Sequence, residues 1–322
     1  MIKTSVIMNS FNRSALLDRG LYSIFSQDYP KDMYEVICVD DSSQDNTQEI
    51  ALKYIKQNEP LIYIYRDKGD LKNTYTNAAF CANIGIKNSK GEIIIRCDAE
   101  IIHDKESIKK LTDVHQLQDN LICFATTYAI PYGSDLMLAI DDYDWKNDRE
   151  VFLREKKDTL STYVGRVCLR PLVFLASLKK KHWIGMNGYD EDFNSYGYED
   201  NDMADRWLKM GLEYRFLDKE ILKKTGYDKQ NILDDIYEPY CCISYHQGHE
   251  SFGQTMPYLL DNRSENTWQK KQEQFKKGLI GYKRNLNKNW GVLKKGFKIF
   301  KENGKIYKQN IENDIVVSIK EI

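Results

Sequence analysis

The chain has no apolar run approaching the roughly 20 residues that a helix needs to cross a bilayer, which excludes a helical membrane span within its 322 residues. Its opening stretch, Met1 to Arg13, turns polar quickly and has neither the apolar core nor the cleavage site of a secretory signal. A cytoplasmic protein is the expectation. The seven cysteines (Cys38, Cys81, Cys97, Cys123, Cys168, Cys241 and Cys242) are odd in number and lack Cys-x-x-Cys spacing. That argues against both a disulfide framework and a zinc site. No Walker A sequence, no Gly-x-Gly-x-x-Gly and no nucleic-acid-binding motif occurs, so nucleic acid is not an expected partner. Internal repeats and low-complexity segments are absent too.

What is present fits a globular protein. Hydrophobic residues make up 42% and charged residues 30%, and the length suffices for one large α/β domain with additions. The formal net charge is −1, but its distribution is uneven. From Lys270 to Lys308 there are thirteen basic and two acidic residues, which leaves 34 basic and 46 acidic residues elsewhere. Such asymmetry calls for a partner.

The first third alternates between two periods. Residues 4–9, 34–39, 61–65 and 92–97 are short runs of β-formers, and 121–129 is a further strand. Residues 14–26, then Ile50, Ala51, Tyr54 and Ile55, then residues 74–86 place apolar side chains at helical spacing. Asp45 is placed to cap the second of these helices. Alternation of this kind predicts a mainly parallel central sheet with helices on both faces. Ligands of such sheets bind beyond the carboxyl ends of the strands. The clusters Asp40-Asp41 and Asp98-Ala99-Glu100 both fall at such ends.

The ordered set of motifs is more specific than any one of them. Asn12-Arg13 follows the first strand, and EVICVDDSSQDNT occupies 35–47. Asn83-x-Gly85-Ile86, Gly91-Glu92 and Asp98-Ala99-Glu100 then follow in order. This set resembles the nucleotide-binding half of family-2 glycosyltransferases. GMNGYDEDFNSYGYEDNDMADRWLKMG, at 185–211, is similar to the acceptor-side motif of β1,4-galactosyltransferases and bacterial chondroitin-type polymerases. The resemblance implies a GT-A fold over residues 1–257, with a nucleotide-binding half at 1–102 and an acceptor-binding half at 103–257. It also implies an inverting transfer of a hexose or N-acetylhexosamine from a nucleotide sugar, most simply a UDP-sugar, to a saccharide or lipid-linked saccharide acceptor. Bacterial surface-polysaccharide synthesis is the expected setting.

The same resemblance distributes roles. Ser10, Asn12, Arg13, Asp40, Asp41, Asn83 and Asp98 fall to the nucleotide, with the carboxylates receiving uracil N–H or ribose hydroxyls. Read without it, Asp40 and Asp41 are equally a backbone-bonding turn. Asp98 and Glu100 stand at the family's Asp-x-Asp position, with Glu as a departure, and His246 joins them on a divalent metal. Mn2+ suits that mixed set better than Mg2+. Gly185, Gly188 and His249 fall to the donor sugar and diphosphate. Asp200 is the general base, and Glu199, Tyr196 and Tyr198 bind the acceptor. The competing reading of Asp200 is a helix cap. Trp183, Tyr189, Tyr196 and Tyr198 either offer faces to sugar rings or pack in the core.

Residues 258–322 read as a basic helical extension, with Trp290, Leu293, Phe297 and Phe300 on one face and Lys294, Lys295, Lys298 and Lys301 around it. Such a helix either lies on an anionic membrane surface, making the enzyme peripheral on the inner face of the cell membrane, or packs on the domain. Two alternatives of other classes stand beside the transferase. One is a non-catalytic carbohydrate-binding protein on the same scaffold. The other is a sugar-nucleotide pyrophosphorylase, which would need a Gly-rich loop where Asn9-Ser10-Phe11-Asn12-Arg13 stands.

Overall fold

The computed structural model describes residues 1–69, 78–138, 140–142, 144–151, 154, 161–162, 173–193, 197–217, 235–248, 263–286 and 288–322. Its centre is the parallel array that the alternating periods predict. Strands β1 (Thr4–Ser10), β2 (Tyr34–Asp40), β3 (Leu61–Arg66) and β4 (Ile93–Asp98) lie in the order β4-β1-β2-β3. All three pairings are parallel. Val36, Ile37, Cys38 and Val39 are fully buried, as expected where helices cover both faces of a strand. The connecting helices are α1 (Ser14–Phe25), α2 (Thr47–Lys56) and α3 (Ala78–Asn88). The expected helical residues before Ala78 lie outside the described residues.

Asp45 does more than cap α2. Its Oδ1 accepts from the Thr47 amide at 3.1 Å, and its Oδ2 accepts from the Ser14 amide at 2.9 Å. One carboxylate thus satisfies first-turn amides of two helices, which otherwise lack partners. Burial would raise its pKa, but the Thr47 hydroxyl at 2.6 Å, together with those amides, holds it below the ordinary value.

The single strand expected at 121–129 is two. β5 (Ile101–His103) and α4 (Ser107–Asp113) come first, then β6 (Leu121–Phe124) and β7 (Thr126–Ile130). Ala125 separates them as the chain leaves the main sheet for a second one. After the short α5 (Asp135–Leu138) and β8 (Ser161–Thr162), β9 (Leu175–Lys179) runs antiparallel between β4 and β6. Then come α6 (Lys180–Gly185), α7 (Glu199–Lys209), β10 (Glu213–Phe216) and β11 (Ile243–Gln247). The second sheet has the order β5-β11-β7-β8, and it carries β11 beside the mouth of the main sheet.

The carboxyl-terminal segment corrects the helical expectation. Among its described residues only α8 (Arg263–Lys276) is helical; β12 (Lys295–Glu302), β13 (Lys305–Glu312) and β14 (Ile315–Glu321) are an antiparallel meander. Asn303-Gly304 and Asn313-Asp314 all have positive φ, between 49° and 80°, as two-residue hairpin turns require. Those turns override the helical spacing. Phe297 and Phe300, three residues apart on a strand, face opposite sides, so the helical face expected to carry both does not form. β12 pairs with β3, and Phe297 stacks on Tyr65 at 4.9 Å. The meander therefore extends the main sheet to ten strands, and Leu293, Ile299 and Ile311 join its core. The boundary placed near 257 lies outside the described residues.

The basic segment finds its partners within the protein. Lys271 pairs with Asp190 at 2.5 Å and Asp192 at 2.9 Å, Arg284 with Asp202 at 2.8 Å, and Lys295 with Asp67 at 3.2 Å. Lys288 also pairs with Asp192. No helix among the described residues is long and apolar enough to cross a membrane.

Candidate active site

Parallel register brings the carboxyl ends of β2, β1 and β4 side by side, with Ser10 opposite Asp40 and Asn9 opposite Asp98. The chain turns away in different directions on the two flanks of β1, which leaves a crevice there. At its β2 edge, Asp40 and Asp41 are each 1% exposed. Asp40 accepts from the Ser43 amide at 2.8 Å and the Tyr63 hydroxyl at 2.5 Å. Burial pushes its pKa up to about 6 against those donors. Asp41 pairs with Arg66 at 2.5 Å and Lys68 at 3.2 Å. Both acids therefore build the turn, and a nucleoside reaches them only by sharing partners they already hold. Asn12, at φ 52°, accepts from the Gln44 amide at 2.7 Å and joins this loop to the opening of α1. Arg13 donates to the Asn12 carbonyl at 3.2 Å. Ser10 Oγ is buried without a hydrogen-bond partner among the described residues.

At the β4 edge, ligand atoms of Asp98, Glu100 and His246 lie within 4.8 Å of one another. Asp98 ends β4, Glu100 sits in the turn to β5, and His246 arrives on β11, which pairs antiparallel with β5. His246 Nε2 is 3.6 Å from Glu100 Oε1, and its ring meets Phe174 edge-on at 5.4 Å. Two carboxylates and an imidazole with converging atoms form a donor set that suits Mn2+. Glu100, the departure from Asp-x-Asp, still delivers its carboxylate to this cluster. Burial raises Asp98 to about 6; Arg96 and His246 pull down, while Glu100 and Asp200 push up.

Glu199 and Asp200 lie close enough to this cluster for their charges and those of Asp98 and Arg96 to act on one another. They open α7, following Tyr198 at φ 67°. Asp200 does not act as a side-chain cap. Its Oδ2 accepts from the Val173 amide at 3.2 Å, and its Oδ1 accepts from the Tyr189 hydroxyl at 3.3 Å. Burial raises its pKa, and Arg96, Val173 and Tyr189 counter the rise. Glu199 lacks the last two; burial and the charge of Asp200 push it up to about 8. Its Oε2 is buried with no partner among the described residues. Glu199 therefore holds its proton around neutral pH, while Arg96, Val173 and Tyr189 favour the charged form of Asp200.

Several expected contacts take other roles. Asn83 is fully buried. Its Nδ2 donates to the Tyr189 carbonyl at 2.9 Å and to Glu191 at 3.0 Å, and its Oδ1 accepts from the Tyr189 amide at 2.7 Å. It clamps the 188–191 segment and has no surface for a nucleotide. Gly188, at φ 65°, is needed for that clamp, because a Cβ would stand 2.2 Å from Asn83 Oδ1. Gly185 packs against Met210, whose Cε would be 3.1 Å from an added Cβ. Trp183 and Tyr189 are core residues, 2% exposed, and offer no sugar-binding face. Tyr198 packs on Trp268 at 5.4 Å. Tyr196 and His249 lie outside the described residues.

Arg96 is the residue that sequence reasoning missed. It is buried on β4, with Nη2 3.1 Å from Asp98 Oδ1, and its charge also acts on Asp200 and Glu199. Its signal was present: a lone cation in the apolar run Ile93-Ile94-Ile95-Arg96-Cys97 is expensive to bury unless carboxylates face it.

Comparison with known proteins accords with this geometry. The description "Glycosyl transferase family 2" matches residues 5–171, just over half of the chain. "N-terminal domain of galactosyltransferase" matches residues 174–229. Glycosyltransferase YfnE of Bacillus subtilis is 25% identical over 316 residues, 81% of this chain and 76% of its own. The poly(ribitol-phosphate) beta-N-acetylglucosaminyltransferase TarS of Staphylococcus aureus is 32% identical over 114 residues, 34% of this chain and 18% of its own. Chondroitin synthase of Pasteurella multocida is 25% identical over 254 residues, 67% of this chain and 24% of its own.

Proposed function

Because the chain belongs to glycosyl transferase family 2, a GT-A glycosyltransferase, we propose that it is an inverting, metal-dependent enzyme. It moves a hexose or N-acetylhexosamine from a UDP-sugar to a saccharide acceptor of a bacterial surface polymer. The observation that carries this reading is that the charge of Arg96 acts both on Asp98 of the Asp98–Glu100–His246 cluster and on the Glu199–Asp200 pair. TarS and chondroitin synthase are named for related transfers, which supports the substrate class.

In this reading the uridine lies along Ser10, Asn12 and Arg13 and over the Asp40–Asp41 turn. Asp98, Glu100 and His246 hold a divalent cation, Mn2+ in preference to Mg2+, which offsets the charge of the departing diphosphate. Asp200 takes the proton of the acceptor hydroxyl as that oxygen bonds to the anomeric carbon. The bond from that carbon to the diphosphate oxygen breaks, and its electron pair leaves with the diphosphate. Attack opposite the leaving group inverts the anomeric centre. Glu199, neutral, donates a hydrogen bond to an acceptor oxygen and so orients it. The side chain of Tyr198, at the opening of α7, lines the acceptor path.

The test is UDP release from a panel of UDP-sugars with Mn2+, with saccharide acceptors and with excess EDTA. Metal-dependent turnover with inverted product is the expected result. Undiminished turnover in EDTA would overturn the metal-dependent mechanism, and a product with retained configuration would overturn the inversion.

A further inference from the structure

Gln247 ends β11 one residue after His246 and is fully buried. Its backbone amide and its side-chain Nε2 both donate to the Glu100 carbonyl, at 3.1 and 3.0 Å. Nε2 also donates to the Leu16 carbonyl of α1 at 3.1 Å. Arg19 sets the direction of this amide. Its Nη1, which can only donate, lies 3.2 Å from Gln247 Oε1, so Nε2 must face the two carbonyls. Asp141 holds the same guanidinium from the other side, at 3.1 and 2.8 Å. The turn is also seated from below. A Cβ on Gly20 would stand 2.4 Å from the Ala99 carbonyl, so α1 approaches the Ala99–Glu100 backbone as closely as glycine allows.

We infer that Gln247 is a positioning residue for the cation site. It ties the backbone of one ligand, Glu100, to the strand that carries another, His246, and so sets their separation in advance. The β5–β11 ladder pairs His246 with Ile101, but that pairing leaves the preceding turn to be placed. Gln247 and Gly20 place it. Groups that orient a ligand without touching the cation commonly change affinity by about 10–100-fold.

This inference rests on the assignment of Asp98, Glu100 and His246 as the cation site, and the experiment separates the two. Mn2+ is titrated into the purified full chain without donor or acceptor, and free Mn2+ is read by electron paramagnetic resonance. Gln247→Met keeps the volume and removes all three side-chain hydrogen bonds, those to Glu100 and Leu16 and the one from Arg19. Its dissociation constant for Mn2+ should rise by about 10-fold or more, with an unchanged circular dichroism spectrum. Arg19→Met, on the partly exposed rim, leaves Gln247 in place but frees its amide to turn. It should weaken Mn2+ binding by a smaller factor. A folded Gln247→Met protein binding Mn2+ as tightly as the wild type overturns the role of Gln247 alone. If that variant does not fold, unchanged affinity in Arg19→Met overturns it. Wild type that binds no Mn2+ overturns the cation site itself and this role with it.

Discussion

The Tyr189 hydroxyl donates to Asp200 Oδ1 at 3.3 Å, although the two residues come from different sides of the Gly197 turn. Tyr189 is held in turn by Asn83, whose Oδ1 accepts the Tyr189 amide at 2.7 Å. The orientation of Asp200 thus depends on α3, which carries Asn83, and the Tyr189 hydroxyl offsets part of the rise that burial gives the Asp200 pKa.

Asp200→Asn keeps the volume and can still accept from Val173, but it cannot take a proton. Its kcat should fall by about 10²–10⁴-fold, with UDP affinity little changed. Glu199→Gln removes a group that is already neutral near pH 7. Its kcat should fall far less, with the loss concentrated in acceptor KM. Steady-state kinetics on both variants checks the division of roles; equal losses would refute it.

The pH profile should be bell-shaped. Activity rises with pH as Asp200 ionises through its raised pKa, and falls again as Glu199 loses its proton near about 8. Glu199→Gln should lose the alkaline limb and keep the acidic one. Stability carries the same sign. Folded Glu199 holds its proton above its ordinary value of 4.5, so the folded state binds more protons in that window. Stability therefore falls as pH rises towards 8, and Glu199→Gln should flatten this slope in melts run across the range.

Among the cation ligands, Asp98→Ala should abolish transfer and weaken UDP binding in Mn2+, because the diphosphate loses its counter-charge. Glu100→Asp should retain activity, since it keeps the carboxylate within the cluster; Glu100→Ala should not. Calorimetric UDP titrations with and without EDTA check each variant. Metal-independent UDP affinity in the wild type would count against the assignment.

Arg284 is buried between Asp190 at 3.1 Å and Asp202 at 2.8 Å. Arg284→Met leaves two buried carboxylates short of a partner, a change that typically costs about 3–5 kcal/mol. Tm should drop by several degrees, and acceptor KM should rise, because the same residues carry the 187–192 segment. Truncation before Trp290 should be worse, as it also removes the β12 pairing to β3. An unchanged melt in Arg284→Met would show that the ion network contributes little.

Gly188→Ala forces a Cβ to 2.2 Å from Asn83 Oδ1 in a backbone of positive φ. A destabilisation of about 1–3 kcal/mol is expected. Gly197→Ala, also at positive φ but with no atom of a described residue within 4 Å of the added Cβ, should show the strain without the clash and lose less. Chemical denaturation of the two variants compares them.

Much of the fold was legible because the cues are local. Val36–Val39 reads as a doubly covered strand, and the Leu17, Leu21 and Ile24 spacing reads as a helix; both are so built. The break at Ala125 was not legible, since nothing in the apolar run 121–129 marks a change of sheet. The carboxyl-terminal strands were misread although Asn303-Gly304 is a strong hairpin signal. The helical spacing of Trp290, Leu293, Phe297 and Phe300 points the other way in the residues just before it.

By itself the sequence determined the parallel core, its acidic strand ends and the family, because side-chain period and motif order survive without knowledge of contacts. Only the tertiary structure decided which charges meet. It gave Asp98 and Asp200 a shared cation in Arg96, turned Asn83 into a clamp, and set the basic tail against Asp67, Asp190, Asp192 and Asp202. The physical reason is that burial and charge pairing are properties of neighbours rather than of residues. Arg284 and Asp202 stand 82 positions apart in the chain and 2.8 Å apart in space.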